Sequence, residues 1–290
     1  MQLRALLLLL FIPVISACER SFDIPIPEEA KKPVLNLLMN KDSIMIARVA
    51  LSARMDETTD GNGIKDAVVS LYENGSFKET LSAYTRSGYI FYRSRTLPRA
   101  GAVYRVAASV PGYKEVSGSD QIPDTVATGE MKMIVTKVNQ WQQRVTINVQ
   151  LHDNPDIQNY YRIRLYQVTK WVNANGDTGR QKLQQYFETG EAAVPILEDD
   201  FHSDFFTTDA LFNGRSPVFT LKADVYTDFS SMVVEISSLT YHSYNYLNSA
   251  YLAAEKNDDG LSEEVIVYNN IVNGFGIVGG AAQREYELVR

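Results

Sequence analysis

The sequence predicts a mainly β protein, in which a β-sandwich is followed by a larger β domain with one helix. From Val34 to Ser119, short apolar runs recur at roughly ten-residue spacing between Gly, Asn and Pro turns. A second series of such runs begins near Gly129. Leu239–Glu255 alone repeats apolar residues at intervals of three and four, which is the helical period.

The first seventeen residues have the pattern of a signal peptide. Arg4 supplies a positive charge, an apolar run extends from Ala5 to Ile15, and the small residues Ser16 and Ala17 follow. The run is too short to span a bilayer, which needs ~20 apolar residues. We therefore predict that residues 1–17 are a lipoprotein signal peptide.

Cys18 is the only cysteine, and it directly follows Ile-Ser-Ala. This arrangement resembles the lipobox of bacterial lipoproteins, in which the cysteine receives diacylglycerol and becomes the acylated amino terminus. Two or more acyl chains hold a protein stably on a membrane. The alternative is an ordinary secretory signal with a chance cysteine.

Residues 18–33 are predicted to be a lipidated tether, because Pro25, Pro27 and Pro33 interrupt any regular pattern. Glu19 and Asp23 loosely resemble surface-export signals of some Gram-negative lipoproteins. We expect an outer-membrane location, on the periplasmic or cell-surface face. The formal net charge is −7 and Lys and Arg form no cluster, so nucleic acid is not an expected partner.

The first domain is predicted to span residues 34–124. Its expected strands are Val34–Met39, Ser43–Ser52, Ala67–Tyr72, Phe77–Tyr84, Tyr89–Tyr92, Val103–Val110 and Lys114–Ser119. The stretch Gly101–Val106, with Pro111-Gly112-Tyr113, resembles the closing strands of transthyretin-like and carboxypeptidase-regulatory-like modules. We therefore expect an immunoglobulin-like or transthyretin-like β-sandwich with a structural or adhesive role.

The second domain is predicted to span residues 125–290. Its expected strands are Glu130–Lys137, Arg144–Leu151, Tyr160–Trp171, Pro217–Tyr226, Met232–Ser237 and Glu285–Val289. Asn173–Arg180 and Glu198–Asp209 are predicted loops. The helix near 239–255 would be capped by Ser237 or Ser238 and would end at Asn257–Gly260.

Four glycines lie within seven residues near the C-terminus, at positions 274, 276, 279 and 280. They predict either a need for backbone freedom or a close approach of chain to chain. A nucleotide site is not expected, because no helix pattern follows them.

Two clusters have residue types that bind metals. Asp60-Gly61-Asn62-Gly63 with Asp66 faintly resembles a calcium loop, but Ile64 and Leu71 stand where oxygen ligands belong. Asp199, Asp200, His202 and Asp204 could bind a divalent metal. A plain inter-strand turn is favoured for the first cluster and a solvated surface loop for the second, so no metal or other cofactor is predicted.

The sequence contains no recognisable catalytic constellation. His152 and His242 are not joined to a Gly-x-Ser-x-Gly motif. A hydrolase with two close carboxylates stays open as a third hypothesis, but we predict that the protein is not an enzyme. A group of aromatic residues could form a ligand-stacking surface, although core packing is favoured for most of them: Tyr241, Tyr244, Tyr246, Tyr251, Trp171, Phe201, Phe205 and Phe206.

Several segments together resemble the family called domain of unknown function 4249, lipoproteins of Bacteroidota-type bacteria. They are the lipobox, Gly101–Tyr113, Asn159–Ile163, Thr208–Gly214, the Tyr-rich helix and Asn269–Gly280, in this order. The resemblance implies no catalytic residues. It implies an accessory or ligand-binding lipoprotein that works with a TonB-dependent outer-membrane transporter in nutrient uptake. The alternative is a structural or adhesive surface lipoprotein.

Overall fold

Three β-sheets and one long helix make up the part of the chain described by the computed structural model, which covers residues 30–53, 63–173, 175–190, 201–226, 228–256 and 265–290. In chain order the strands are β1 (Pro33–Asn40), β2 (Ile46–Leu51), β3 (Val68–Glu73), β4 (Ser76–Thr80), β5 (Ser82–Arg86), β6 (Tyr89–Arg93), β7 (Val103–Ser109), β8 (Val116–Gln121), β9 (Ala127–Thr128), β10 (Lys132–Lys137), β11 (Gln143–His152), β12 (Tyr160–Val172), β13 (Thr178–Gln185), β14 (Phe187–Gly190), β15 (Phe201–His202), β16 (Phe205–Thr208), β17 (Val218–Val225), β18 (Ser231–Leu239) and β19 (Phe275–Val289). The helix α1 spans Tyr241–Lys256. The mainly β prediction is confirmed.

The first hydrophobic core lies between one half of the largest sheet and a four-stranded sheet. The four-stranded sheet has the strand order β4-β3-β7-β8. Its strands β3, β7 and β8 pack against β1, β2 and β6 of the largest sheet. Leu35 and Leu37 show the period of two that a half-buried strand requires, since both are buried while Leu38 is exposed. The arrangement is a β-sandwich.

The second hydrophobic core lies between the other half of the same sheet and a six-stranded sheet. The largest sheet runs β13-β12-β18-β19-β1-β2-β6-β5, and the six-stranded sheet has the path β10-β11-β17-β14-β15. Ile147, Ile163 and Ile236 are fully buried between them. A second sandwich thus shares its main sheet with the first.

Strand β19 joins the two sandwiches. Its first half pairs in parallel with β1, from Val34 opposite Phe275 to Asn40 opposite Ala281, and its second half pairs antiparallel with β18. Residues 31–290 form one compact unit. The predicted division near residue 124 stays a prediction.

The predicted close approach at the glycine-rich segment matches the structure. A Cβ at Gly276 would collide with the Leu35 carbonyl, and one at Gly280 would collide with the Gln121 carbonyl. Gly276 also has a φ of +114°, which L side chains rarely adopt.

Helix α1 follows β18 almost without a connection. The Ser243 N–H donates to Thr240 Oγ1 over 3.2 Å, so Thr240 caps the helix. The predicted caps, Ser237 and Ser238, lie inside β18 instead, because its pairing with β12 continues to Leu239. The predicted end at Asn257–Gly260 lies outside the described residues.

Two predicted loops contain strands. Thr178–Gln185, which overlaps the predicted loop Asn173–Arg180, pairs with β12 as β13. Phe205–Thr208, within the predicted loop Glu198–Asp209, also pairs with β12, as β16. The first was missed because its sequence lacks an apolar face, and the second because four residues are too few to show alternation. No helix in the described ranges is long and apolar enough to cross a bilayer.

Candidate functional site

A cleft of about 610 Å³ opens where the two sandwiches meet. Three segments line most of it: residues 120–127 after β8, residues 152–161 around the β11–β12 connection, and residues 238–242 at the start of α1. Because β18 ends at Leu239 and β12 begins beside it at Tyr160, both strand ends open into the same space.

Asp120 holds the inner wall of the cleft. Its carboxylate accepts hydrogen bonds from the Gly280 N–H over 2.9 Å, from its neighbour Gln121 N–H over 2.9 Å, and from the Thr240 hydroxyl. Burial raises the pKa of Asp120, and these donors partly offset that effect. One carboxylate therefore ties β8, β19 and the helix cap together.

Aromatic side chains form one side of the cleft. The Tyr160 ring lies 5.9 Å from the Tyr241 ring and 5.1 Å from the Tyr244 ring, between centroids. Phe206 continues the cluster towards Tyr244 and Tyr251, at 6.1 and 6.0 Å. Tyr241 remains 53% exposed, whereas Tyr244 is deeper and burial raises the pKa of its hydroxyl. Of the residues that could form a ligand-stacking surface, Tyr241, Tyr244, Tyr251 and Phe206 lie together here, with Tyr160 added at the cleft.

The remaining predicted aromatic residues lie elsewhere. Phe205 is buried in the second core and Phe201 is 55% exposed. Trp171 lies at the C-terminal end of β12, whereas Tyr160 and the cleft lie at its beginning. The core interpretation is right for Phe205 and wrong for Trp171, which is 48% exposed.

Two histidines line the cleft, each beside a hydroxyl group. His152 Nδ1 lies 2.9 Å from Ser216 Oγ, and His242 Nδ1 lies 2.6 Å from the Tyr268 hydroxyl. The carboxylate next to His152, Asp153, is engaged elsewhere, since it accepts from Tyr161 and from the Gly214 N–H. In the described part of the chain, no carboxylate completes either pair as a catalytic triad.

The other sequence candidates fall in two groups. Cys18, the residues 60–62 of the calcium-like loop, and Asp199 with Asp200 lie outside the described residues. His202 and Asp204 are described, and Asp204 faces two arginines, 3.8 Å from Arg162 and 3.9 Å from Arg164. Across the described ranges, no three His, Cys, Asp or Glu side chains are grouped as metal ligands.

The family model described as domain of unknown function (DUF4249) matches residues 19–287. The chain belongs to the DUF4249 family. The DUF4249 match extends from the residue after Cys18 almost to the end of β19, so it includes every segment that lines the cleft.

No curated protein matches this DUF4249 chain. Among solved structures, it is similar to the β-glucuronidase of Parabacteroides merdae, with 13% sequence identity and a TM-score of 0.20. The alignment covers 73% of the DUF4249 chain but only 23% of the glucuronidase. No conclusion about fold or activity follows from a similarity at that score.

Sequence reasoning missed the cleft as a site. Asp120, Tyr160 and Thr240 are far apart in the chain. Pairing of β12 with β18 places Tyr160 beside Leu239, and hydrogen bonds to Thr240 and Gly280 bring Asp120 to the same place. The buried position of Asp120 was a usable signal, because acidic residues rarely point into the core of a strand unless paired.

Proposed function

We propose that this DUF4249 protein is a lipid-anchored, non-catalytic module of the cell envelope. It holds a small ligand in the cleft between its two sandwiches and works with a TonB-dependent outer-membrane transporter in nutrient uptake. The anchor is Cys18, and the location is the outer membrane.

The cleft is the observation that carries the ligand-binding part of this proposal. Its volume of about 610 Å³ lies within the usual range for small-molecule sites, roughly 300–1,000 Å³. Exposed Tyr241 and half-buried Tyr160 offer aromatic surface, and Asn154 and Gln158 offer amides beside it. A few polar groups around aromatic surface are typical of a binding site.

The polar groups of the inner wall support binding rather than catalysis. Asp120 accepts hydrogen bonds from three donors, and the Asn159 side chain donates to the Asn154 and Ile157 carbonyls over 2.9 and 2.8 Å. A general acid or base must be able to exchange a proton with the substrate. Groups that are committed to internal hydrogen bonds instead fix the shape of the wall.

The transporter partnership rests on the sequence resemblance, and the anchor rests on the Ile-Ser-Ala-Cys arrangement at residues 15–18. Two acyl chains would hold the protein permanently at the membrane. A protein held there stays close to neighbours in the same membrane, which is consistent with an accessory role.

The ligand-binding part is tested by saturation-transfer NMR on the purified full-length protein. The probes are a defined panel of neutral disaccharides and tripeptides. We expect at least one probe to bind and Tyr241→Ala to weaken it about tenfold, because the exposed ring is lost. Tyr186→Ala is the matched control, since Tyr186 is 60% exposed but lies away from the cleft. Binding that is unchanged in Tyr241→Ala would contradict the assignment of the cleft.

The anchor and the partner are tested together in native membranes. Mass spectrometry of the mature protein should find an acylated Cys18 at the amino terminus, and Cys18→Ser should abolish processing. Extraction in mild detergent should co-purify a large β-barrel transporter. A lipidated protein that purifies alone would favour the structural or adhesive alternative.

A further inference from the structure

Both tryptophans of the chain are exposed. Trp141, in the turn between β10 and β11, is 73% exposed, and Trp171, at the end of β12, is 48% exposed. Indole rings usually bury a large area in cores or interfaces. Their exposure therefore marks a surface that the fold itself does not use.

The topology places both tryptophans at one end of the second sandwich. Lys137 pairs with Gln143 and Gln143 with Val225, so the Trp141 turn lies beside the end of β17. A short connection leads from there to Ser231, which pairs with both Val168 of β12 and Val289 of β19. The cleft lies at the opposite end of these strands.

More exposed apolar side chains share this end, which we name the aromatic end. It consists of Val138, Trp141, Trp171, Val172, Tyr226 and Val289, between 48% and 74% exposed. They come from four different strand ends and connections. The result is a set of projecting tips and not a groove.

The two hairpins that carry the tryptophans are internally braced. The Asn139 side chain accepts from the Trp141 N–H over 2.8 Å, and Asn173 accepts from the Asp177 N–H over the same distance. Gly179, which pairs with Trp171 across the hairpin, has no room for a Cβ because the indole ring lies against it. Hydrogen bonds thus hold the backbone of both turns, and the Trp171 ring also lies against Gly179.

The charge of this end differs from that of the whole chain. Lys137, Lys170, Arg180 and Arg290 surround the tips, and Lys170 and Arg180 share the carboxylate of Glu287 at 3.0 and 3.4 Å. Besides the Arg144–Asp224 pair, the carboxylates of this end in the described ranges are Asp177, Asp228 and Glu287. Four cations against three side-chain carboxylates leave the end close to neutral, although the chain carries −7.

We infer that the aromatic end docks onto the interfacial layer of a lipid bilayer. Trp and Tyr prefer this layer, because their rings are apolar and their N–H and O–H groups reach water and headgroups. A rim that is close to neutral does not repel anionic headgroups, whereas a surface with the net negative charge of the whole chain would. A bilayer accepts separate projecting tips, whereas a protein partner would need a matching set of hollows to reach close packing.

The dimensions of the chain allow this contact beside the proposed lipid anchor. The 15 residues of β19 span about 50 Å at roughly 3.3 Å per residue, from the entry of the chain near Pro33 to the aromatic end. The stretch from Cys18 to Pro33 can reach about 50 Å when fully extended. Because the chain enters at the opposite end and Lys32 is held by Ser52, the anchor and the aromatic end can meet the same bilayer when β19 is inclined to the membrane.

Tryptophan fluorescence tests the inference directly, because both tryptophans belong to the aromatic end. The full-length protein is reconstituted into phosphatidylcholine–phosphatidylglycerol vesicles, with or without bromine on the acyl chains, and flotation measures the bound fraction. We expect brominated lipid to reduce the emission about twofold and the vesicles to protect it from iodide. The inference is overturned if brominated lipid does not reduce the tryptophan emission and iodide still quenches it. This holds whether or not the protein floats with the vesicles.

A matched pair of variants separates docking from folding. Val172→Asp places a carboxylate at a tip that is 68% exposed and keeps both tryptophans, so quenching by brominated lipid should be lost. Val68→Asp makes the same change on β3, where Val68 is 54% exposed, and should keep the quenching. Equal quenching in both variants overturns the inference. The inference is also overturned if the tryptophans are protected from iodide only when the vesicles contain a membrane protein. That result would assign the surface to a protein partner.

Discussion

Glu73 shows how one buried carboxylate can organise a sandwich edge. It is 5% exposed and accepts hydrogen bonds from Arg99 and from the Tyr104 hydroxyl at 2.6–2.9 Å, while Lys78 lies 2.6 Å away. The hydrogen bonds from Lys78 and Arg99 lower its pKa to about 2. These partners come from three separate segments, so the carboxylate connects β3, β4 and β7.

We predict that Glu73→Gln destabilises the protein by about 1–2 kcal/mol at neutral pH, because the buried Tyr104 hydroxyl and two cations lose a charged acceptor. Urea unfolding of the full-length protein measures the change. The control is Glu115→Gln, which removes an exposed pair with Arg105 and should cost less than about 0.5 kcal/mol. Equal effects of the two substitutions would contradict the role given to Glu73.

The pH dependence of this effect has a definite sign. The folded pKa of Glu73 is below its ordinary value of 4.5, so its contribution is complete above about pH 4.5 and is lost as the pH falls towards about 2. The difference between wild type and Glu73→Gln should therefore shrink as the pH is lowered from 5 to about 2. Unfolding curves across that range measure it, and a constant difference would contradict the assignment.

At the scale of elements, β19 depends on its glycines. Gly276→Ala should destabilise the protein by more than about 3 kcal/mol, because a positive φ and a collision with the Leu35 carbonyl act together. Gly75→Ala is the control: Gly75 also has a positive φ, +81°, but nothing lies near its absent Cβ. It should cost only about 1 kcal/mol. Thermal unfolding followed by circular dichroism compares the two, and similar losses would mean that the close approach is unimportant.

The elements differ in how far the sequence could predict them. Alternation in residues 144–151 and 160–171 was sufficient for β11 and β12, because each buries one face. Thr178–Gln185 is polar on both faces at an open edge of the sheet, so alternation could not reveal β13. The sequence could not identify Thr240 as the helix cap, because the cap depends on where β18 ends. The pairing of β18 with β12 determines that end.

At the scale of the whole molecule, β19 couples the two cores. Leu35→Ala in the first core should lower the free energy of unfolding by about 2–5 kcal/mol. Because both tryptophans lie in the second sandwich, their fluorescence should report the same lowered midpoint as circular dichroism. Urea titrations with both probes measure this.

Leu38→Ala is the control for this coupling, because Leu38 is 43% exposed on the same strand and should cost less than about 1 kcal/mol. Two separate transitions in Leu35→Ala, with unchanged fluorescence midpoint, would show that the sandwiches unfold independently.

The candidate site also depends on the whole molecule. Its lining residues lie at positions 101–242, and Asp120 is fixed by the N–H of Gly280, which is 160 residues away. Periodicity and motifs report on neighbours along the chain. The pairing of the first strand with the last, which creates the cleft, leaves no local trace in the sequence beyond the glycines.

This pairing has a consequence for biosynthesis. A ribosome releases β1 first and β19 last, so the N-terminal sandwich cannot be completed until the final residues have emerged. Premature termination before residue 275 would leave two unsealed sheet edges, on β1 and on β18, in a single fragment. A truncated product would therefore contain no completed N-terminal sandwich. Its unpaired strand edges could pair with other chains and cause aggregation, which would make it a substrate for quality-control proteases.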